Sequence, residues 1–167
     1  MSGQHLEIER KFRLRDDRWR DAVKDIRAER LVQGYLNRDP QRSVRVRLAG
    51  ERAWLTIKGM SQGASRLEFE YTIPAAEAEA MLTLCEGPLI DKRRYRLPLE
   101  DDYRVWEIDE FLGDNAGLVV AELELHSEDE PFPKPDWLGE DVTGDPKYYN
   151  SSLSQRPFAR WQEAERR

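Results

Sequence analysis

HLEIERKFRL, residues 5–14, is the stretch on which the reading of this chain turns. Taken with the two-residue period of a strand, it has two unlike faces. Leu6, Ile8, Phe12 and Leu14 fall on one, with Arg10 their only polar companion. Glu7, Glu9, Lys11 and Arg13 fall on the other. A half-buried strand ordinarily turns such charges to water. Later segments weigh against that assignment here, because several of them also gather charge on one face, often in same-sign pairs.

Working outward, Asp16 or Asp17 can cap a helix to about residue 29, with Trp19, Ala22, Val23 and Ile26 at helical spacing. Residues 31–38, 43–48 and 53–59 read as strands separated by NRDP (37–40) and AGE (49–51). Then the opening recurs: LEFE at 67–70 echoes LEIE at 6–9. A second helix is expected over 75–86, stopped by Gly87, and strands over 90–97, 103–111 and 118–126. Both halves thus read strand, helix and three strands. The fold class is α+β, mainly β, with eight strands whose short connections favour antiparallel pairing. Residues 127–150, interrupted by Pro131, Pro133, Pro135 and Pro146, read as irregular, and a final helix is expected from Ser151 or Ser152 to about Ala164. No linker divides the chain, so residues 1–167 form one domain.

Composition narrows the function classes. Charged residues make up 36% of the chain, the net charge is −6 and the pI about 5.1, which gives no general case for nucleic-acid binding. The 27 Lys and Arg still permit a local basic site. No apolar run approaches the roughly 20 residues that span a bilayer, and the start lacks a signal-peptide core. The single Cys85 excludes an intramolecular disulfide, and no Cys/His spacing suggests zinc. A cytoplasmic protein is expected.

The charged faces carry the chemistry. Carboxylates recur two apart at Glu7/Glu9, Glu68/Glu70 and Glu122/Glu124, with Glu107 and Asp109 on another strand. Such pairs stand roughly 6.5–7 Å apart along a strand, facing the same way, and repel unless cations lie among them. All-oxygen donors of this kind suit Mg²⁺ or Mn²⁺. Cations are equally segregated: Arg45 and Arg47, Lys58, Arg66, and Lys92, Arg94 and Arg96. Arg forks and Lys point charges are what a polyanion requires. Acid for metal and base for phosphate is the division of labour in phosphoryl transfer. The competing reading is a charged outer sheet face with scattered surface ion pairs of little energetic weight.

EIERKF at 7–12 resembles the Glu-x-Glu-x-Lys signature of the CYTH, or triphosphate tunnel metalloenzyme, family. The resemblance runs on through QGYL (33–36), RVR (45–47), TIKG (56–59), SRLEFE (65–70), DKRRYRL (91–97), WEIDEFLG (106–113), AELEL (121–125) and KYYNSSL (147–153). It implies an eight-stranded antiparallel barrel enclosing a charged tunnel, and Mg²⁺- or Mn²⁺-dependent chemistry on a small-molecule triphosphate. The implied metal positions are Glu7, Glu9 and Glu124, with Glu122 nearby and Asp109 a further contributor. The implied phosphate positions are Lys11, Arg45, Arg47, Lys58, Lys92 and Arg94, the last chosen over Arg93 by parity with Lys92. Arg66, Glu68 and Glu70 complete the lining. Tripolyphosphate hydrolysis is the leading expectation, with Lys11 orienting water or the terminal phosphate and Glu68 or Glu70 positioning the attacking water. Thiamine triphosphate hydrolysis, class IV adenylate cyclisation and non-catalytic polyphosphate binding stand as alternatives. Lys147 is a further phosphate candidate. His5 and His126 read as strand ends, Cys85 as core, and the tryptophans as packing. Neither nucleic acid nor membrane is expected as a partner, and an apolar outer barrel face would favour a homodimer.

Overall fold

The computed structural model describes residues 5–100 and 102–167. Nine strands and three short helices follow one another: β1 (Leu6–Leu14), α1 (Trp19–Ala22), β2 (Glu29–Asn37), β3 (Arg42–Ala49), β4 (Arg52–Gly59), β5 (Ser65–Pro74), α2 (Ala75–Leu82), β6 (Ile90–Pro98), β7 (Val105–Phe111), β8 (Val119–Glu124), β9 (Leu138–Asp141) and α3 (Asn150–Leu153). Eight of the strands close an antiparallel barrel in the order β5-β4-β3-β2-β6-β7-β8-β1, sealed where β1 meets β5. Two meanders, β2-β3-β4 and β6-β7-β8, are the halves expected from the repeat.

Register relates those halves. Leu6 pairs with Leu67 across the β1–β5 seam, and Leu31 pairs with Lys92 across β2–β6. The partners are 61 positions apart in both cases (67 minus 6, 92 minus 31), the same offset that separates LEIE from LEFE. A pseudo-twofold axis therefore passes through both seams.

Apolar side chains pack on the outside of the barrel, inverting the usual arrangement. Ile8 and Phe12 lie beneath α1 and the returning chain, with Trp19, Val23, Trp106, Trp137 and Leu138. Ala78 of α2 covers Val46 and Ala53. Phe111, Val120, Tyr148, Phe158 and Trp161 form a third cluster under the C-terminal segment. At 25 cal/mol per Å², these aromatic and aliphatic contacts supply the main driving force of folding.

Three elements depart from expectation. The first helix is one turn: β2 already pairs with β6 from Glu29, and the core is reached by Trp19 and Val23 and, beyond the helix, by half-buried Ile26. The C-terminal helix also lasts one turn: Pro157 lacks an N–H and constrains the residue before it, so the chain continues as short 3₁₀ turns at Phe158–Arg160 and Glu163–Arg166. Within the proline-rich stretch read as irregular lies β9, which pairs with β1 at Phe12 and Leu14.

Candidate metal and phosphate site

The inward faces of the barrel strands surround a cavity of about 580 Å³. β1 contributes Glu7, Glu9 and Lys11, so the charged face of the opening stretch does point inside. β3 and β4 contribute Arg45, Arg47 and Lys58; β5 contributes Arg66, Glu68 and Glu70; β6 contributes Lys92 and Arg94; and β8 contributes Glu122 and Glu124. Arg93 turns outward toward Glu110, so parity chose correctly between the two arginines.

Register explains how the acids are gathered. Glu9 faces Glu124 and Lys11 faces Glu122 across β1–β8, while Glu107 faces Glu122 across β7–β8. Like charges directly opposite are unfavourable unless a cation shares them. Burial, reinforced by Glu122 and Glu7, pushes the Glu9 carboxyl well above the usual range. Burial, Glu7 and Glu107 likewise raise Glu124. Glu122 goes the other way: burial would raise it, but Lys11, Arg94 and Lys92 outweigh burial. Lys11 is held as an ammonium, since Glu122 and Glu9 overcome its own desolvation. Its Nζ lies 3.4 Å from Glu122 and donates to the Tyr148 carbonyl at 3.3 Å.

These carboxylates fit a hard divalent cation by donor type, charge and mutual crowding. Among the described residues no three acidic or His/Cys side chains form a ready-made metal cage.

The basic side is equally organised. Arg45, Lys58, Lys92 and Arg94 are all under 10% exposed. Lys58 lies 2.9 Å from Glu7, and Arg66 is 3.5 Å from the same carboxylate. Arg45 donates to Thr56 Oγ1 through one Nη, while its buried Nε has no partner among the described residues. An unpartnered buried guanidinium N–H costs free energy until an anion arrives. Burial, with Arg45 and Arg94 nearby, lowers Arg47 to about 9.

Asp109 occupies a different place from its expected one. It lies fully buried behind the cavity wall, with both carboxylate oxygens engaged. Arg94 grips it through Nε at 2.8 Å and Nη2 at 2.9 Å, and Lys92 donates to it at 2.7 Å. Burial works to raise Asp109, but Arg94 and Lys92 hold it down at about 2. Its geometry is that of an anchor for cations, with no free oxygen turned toward the cavity.

Several lining groups carry no assigned ligand role in the sequence reading. Glu107 and Arg96 meet at 2.6 Å, and Glu107 also reaches Arg94 at 3.1 Å. Strand parity puts both on the charged faces, and the structure adds that they line the cavity as an ion pair. Tyr35, Tyr149 and Asn150 also line the cavity, and Gln33 is buried behind it. Uncharged residues leave no sign pattern to follow. Lys147 is elsewhere: its Nζ lies over the Tyr148 and Trp161 rings and donates to the Glu165 carbonyl, so it braces the C-terminal segment. His5 stacks on Phe69 at the cavity mouth, and exposed His126 faces Tyr103.

Residues 5–156 match the model of the CYTH domain. The chain belongs to the CYTH family. It is 48% identical over 158 residues to an inorganic triphosphatase of Acetivibrio thermocellus, covering 94% of this chain and 98% of that one. An inorganic triphosphatase of Nitrosomonas europaea is 36% identical over 152 residues, covering 89% and 96%. The crystal structure of the inorganic triphosphatase NE1496 superposes with a TM-score of 0.59 at 34% identity, covering 89% and 97%. CYTH membership implies a divalent metal, in agreement with the oxygen-rich wall on β1 and β8.

Proposed function

We propose that this protein is a metal-dependent inorganic triphosphatase that converts tripolyphosphate and water to pyrophosphate and phosphate. The observation that carries the reading is the set of buried cations, Arg45, Lys58, Lys92 and Arg94, converging on a cavity whose other wall is carboxylate. Burying so many charges is costly without a ligand of opposite sign, and a compact polyanion supplies it. The triphosphatase names of the two relatives support the same chemistry.

Mg²⁺ or Mn²⁺ held by Glu7, Glu9 and Glu124, with Glu122 alongside, would supply a Lewis acid for phosphate oxygens. Arg45, Arg47, Lys58 and Arg94 neutralise charge that develops on the phosphoryl group and its leaving pyrophosphate. Arg66, on β5 beside Glu7, adds a further cation for the phosphates. Lys11, kept protonated by Glu122 and Glu9, orients a phosphate or the water and does not act as a base. Glu68, raised by burial and facing the cavity, is placed with Glu70 to hold the attacking water. Asp109 fixes Lys92 and Arg94 from behind.

Phosphate release from tripolyphosphate, thiamine triphosphate and ATP, each with Mg²⁺ and with Mn²⁺, tests the assignment, with cyclic AMP measured as a possible product of the third. Tripolyphosphate should be the best substrate by kcat/KM. Glu9→Gln should abolish metal-dependent release without lowering the melting temperature; wild-type turnover in that variant sinks the proposal. Tight tripolyphosphate binding with no turnover in either metal would make the protein a binding module instead.

A further inference from the structure

The cationic floor of the cavity is threaded by two amides whose orientation can be worked out donor by donor. Arg47 can only donate, and its Nε lies 2.8 Å from Gln33 Oε1. Gln33 is fully buried, so with its oxygen facing Arg47 its amino group must donate onward. It does so to Asn150 Oδ1, at 3.2 Å. Lys92, also donor-only, contributes a second proton to the same Asn150 oxygen at 3.0 Å. Two obligatory donors therefore fix which end of the Asn150 amide faces the protein. Its Nδ2 has no partner among the described residues, and Asn150 lines the cavity.

We infer that Asn150 is a substrate-binding residue whose amino group donates to a phosphate oxygen of the bound triphosphate. The inference rests on the triphosphatase reading and adds to it a neutral donor set among Arg47, Lys92 and Arg94. Neutrality has a physical use at this place. Burial, with Arg45 and Arg94 adding to it, already depresses Arg47, and burial together with Arg94 and Arg47 depresses Lys92 despite Asp109. A fourth cation would deepen that repulsion in the empty cavity, whereas an amide adds a hydrogen bond without charge. Gln33 is then a positioning residue, acting through Asn150.

Binding of tripolyphosphate to metal-free protein, measured by calorimetry, provides the test. Asn150→Ala should weaken binding by roughly tenfold, the range for a hydrogen bond to a charged group. Asn150→Asp is the decisive variant, because it keeps the acceptor for Lys92 and Gln33 but turns an anion toward the phosphates. It should bind at least tenfold more weakly than Asn150→Ala. If Asn150→Asp binds as well as Asn150→Ala or better, the acceptor end alone matters and the inference fails. It also fails if Asn150→Ala binds like wild type. Asn150→Ala decides alone if the aspartate variant has lost its cooperative melt. Should wild-type protein bind no tripolyphosphate metal-free and turn none over when Mg²⁺ or Mn²⁺ is added, the triphosphatase reading fails independently of Asn150.

Discussion

Three cations crowd the cavity floor at Arg47, Lys92 and Arg94, and Asp109 is the carboxylate that Arg94 and Lys92 both grip. Breaking a buried charge arrangement by removing one partner costs about 3–5 kcal/mol. Asp109→Asn should therefore lower stability at pH 7 by about 3 kcal/mol or more, read by urea denaturation. The pH dependence has a definite sign. Asp109 titrates at about 2 in the fold and near 3.9 when unfolded, so its contribution is complete above about pH 4. It is lost as pH falls toward 2, and the gap between wild type and Asp109→Asn should narrow over that window. A gap that stays constant from pH 5 to pH 2 would show that the carboxylate's charge is not what stabilises the floor. At this scale the sequence was legible wherever charge alternated with apolar residues. Parity alone sent Arg94 inward and Arg93 outward. It could not show that Asp109 faces a bidentate arginine, since that depends on which strand lies beside β7. Nor could it find Gln33 or Asn150, which carry no charge.

Strands proved easier to read than helices because period-2 patterning with a charged inner face persists through strands of six to ten residues. The helices last one turn, or two in α2, too short to express a 3.6-residue period strongly, and owe their form to what they pack on. β9 is harder still: four residues among prolines hold no pattern, and their strand character comes from pairing with β1. Its close approach depends on Gly139. A Cβ there would stand 2.8 Å from the Arg13 carbonyl oxygen and 3.1 Å from Arg15 N, both backbone atoms that cannot rotate away. Gly139→Ala should push β9 off β1 and disturb the neighbouring Trp137 and Leu138, which sit in the main apolar cluster. A cost of about 1–3 kcal/mol is expected from such overpacking, seen as a lower thermal midpoint. An unchanged midpoint would mean that β9 is not held tightly against the barrel.

The whole molecule combines a symmetric backbone with an asymmetric charge pattern. β1 and β5 both present Glu-x-Glu, as the repeat implies, but the meanders have diverged in sign. Arg45, Arg47 and Lys58 line one, while in the other Glu107, Glu122 and Glu124 line β7 and β8, and its cations Lys92, Arg94 and Arg96 are confined to β6 at the seam with β2. A polyanion in the cavity must touch the basic meander and confront the acidic one. Metal and substrate should therefore assist each other, because a cation on the β1–β8 acids removes the repulsion that triphosphate meets there. Linkage makes the effect reciprocal: each ligand must tighten the other by the same factor. With a methylene-bridged triphosphate analogue that resists hydrolysis, calorimetric titration of Mg²⁺ should show affinity at least tenfold higher than in its absence, after correction for metal bound by free analogue. The analogue should in turn bind at least tenfold tighter in Mg²⁺ than after chelation. In Glu9→Gln both factors should shrink together, since the variant removes one of the charges through which the ligands communicate. Equal Mg²⁺ affinity with and without the analogue would place the metal outside the β1–β8 wall, and the division of the barrel into acidic and basic meanders would need another explanation.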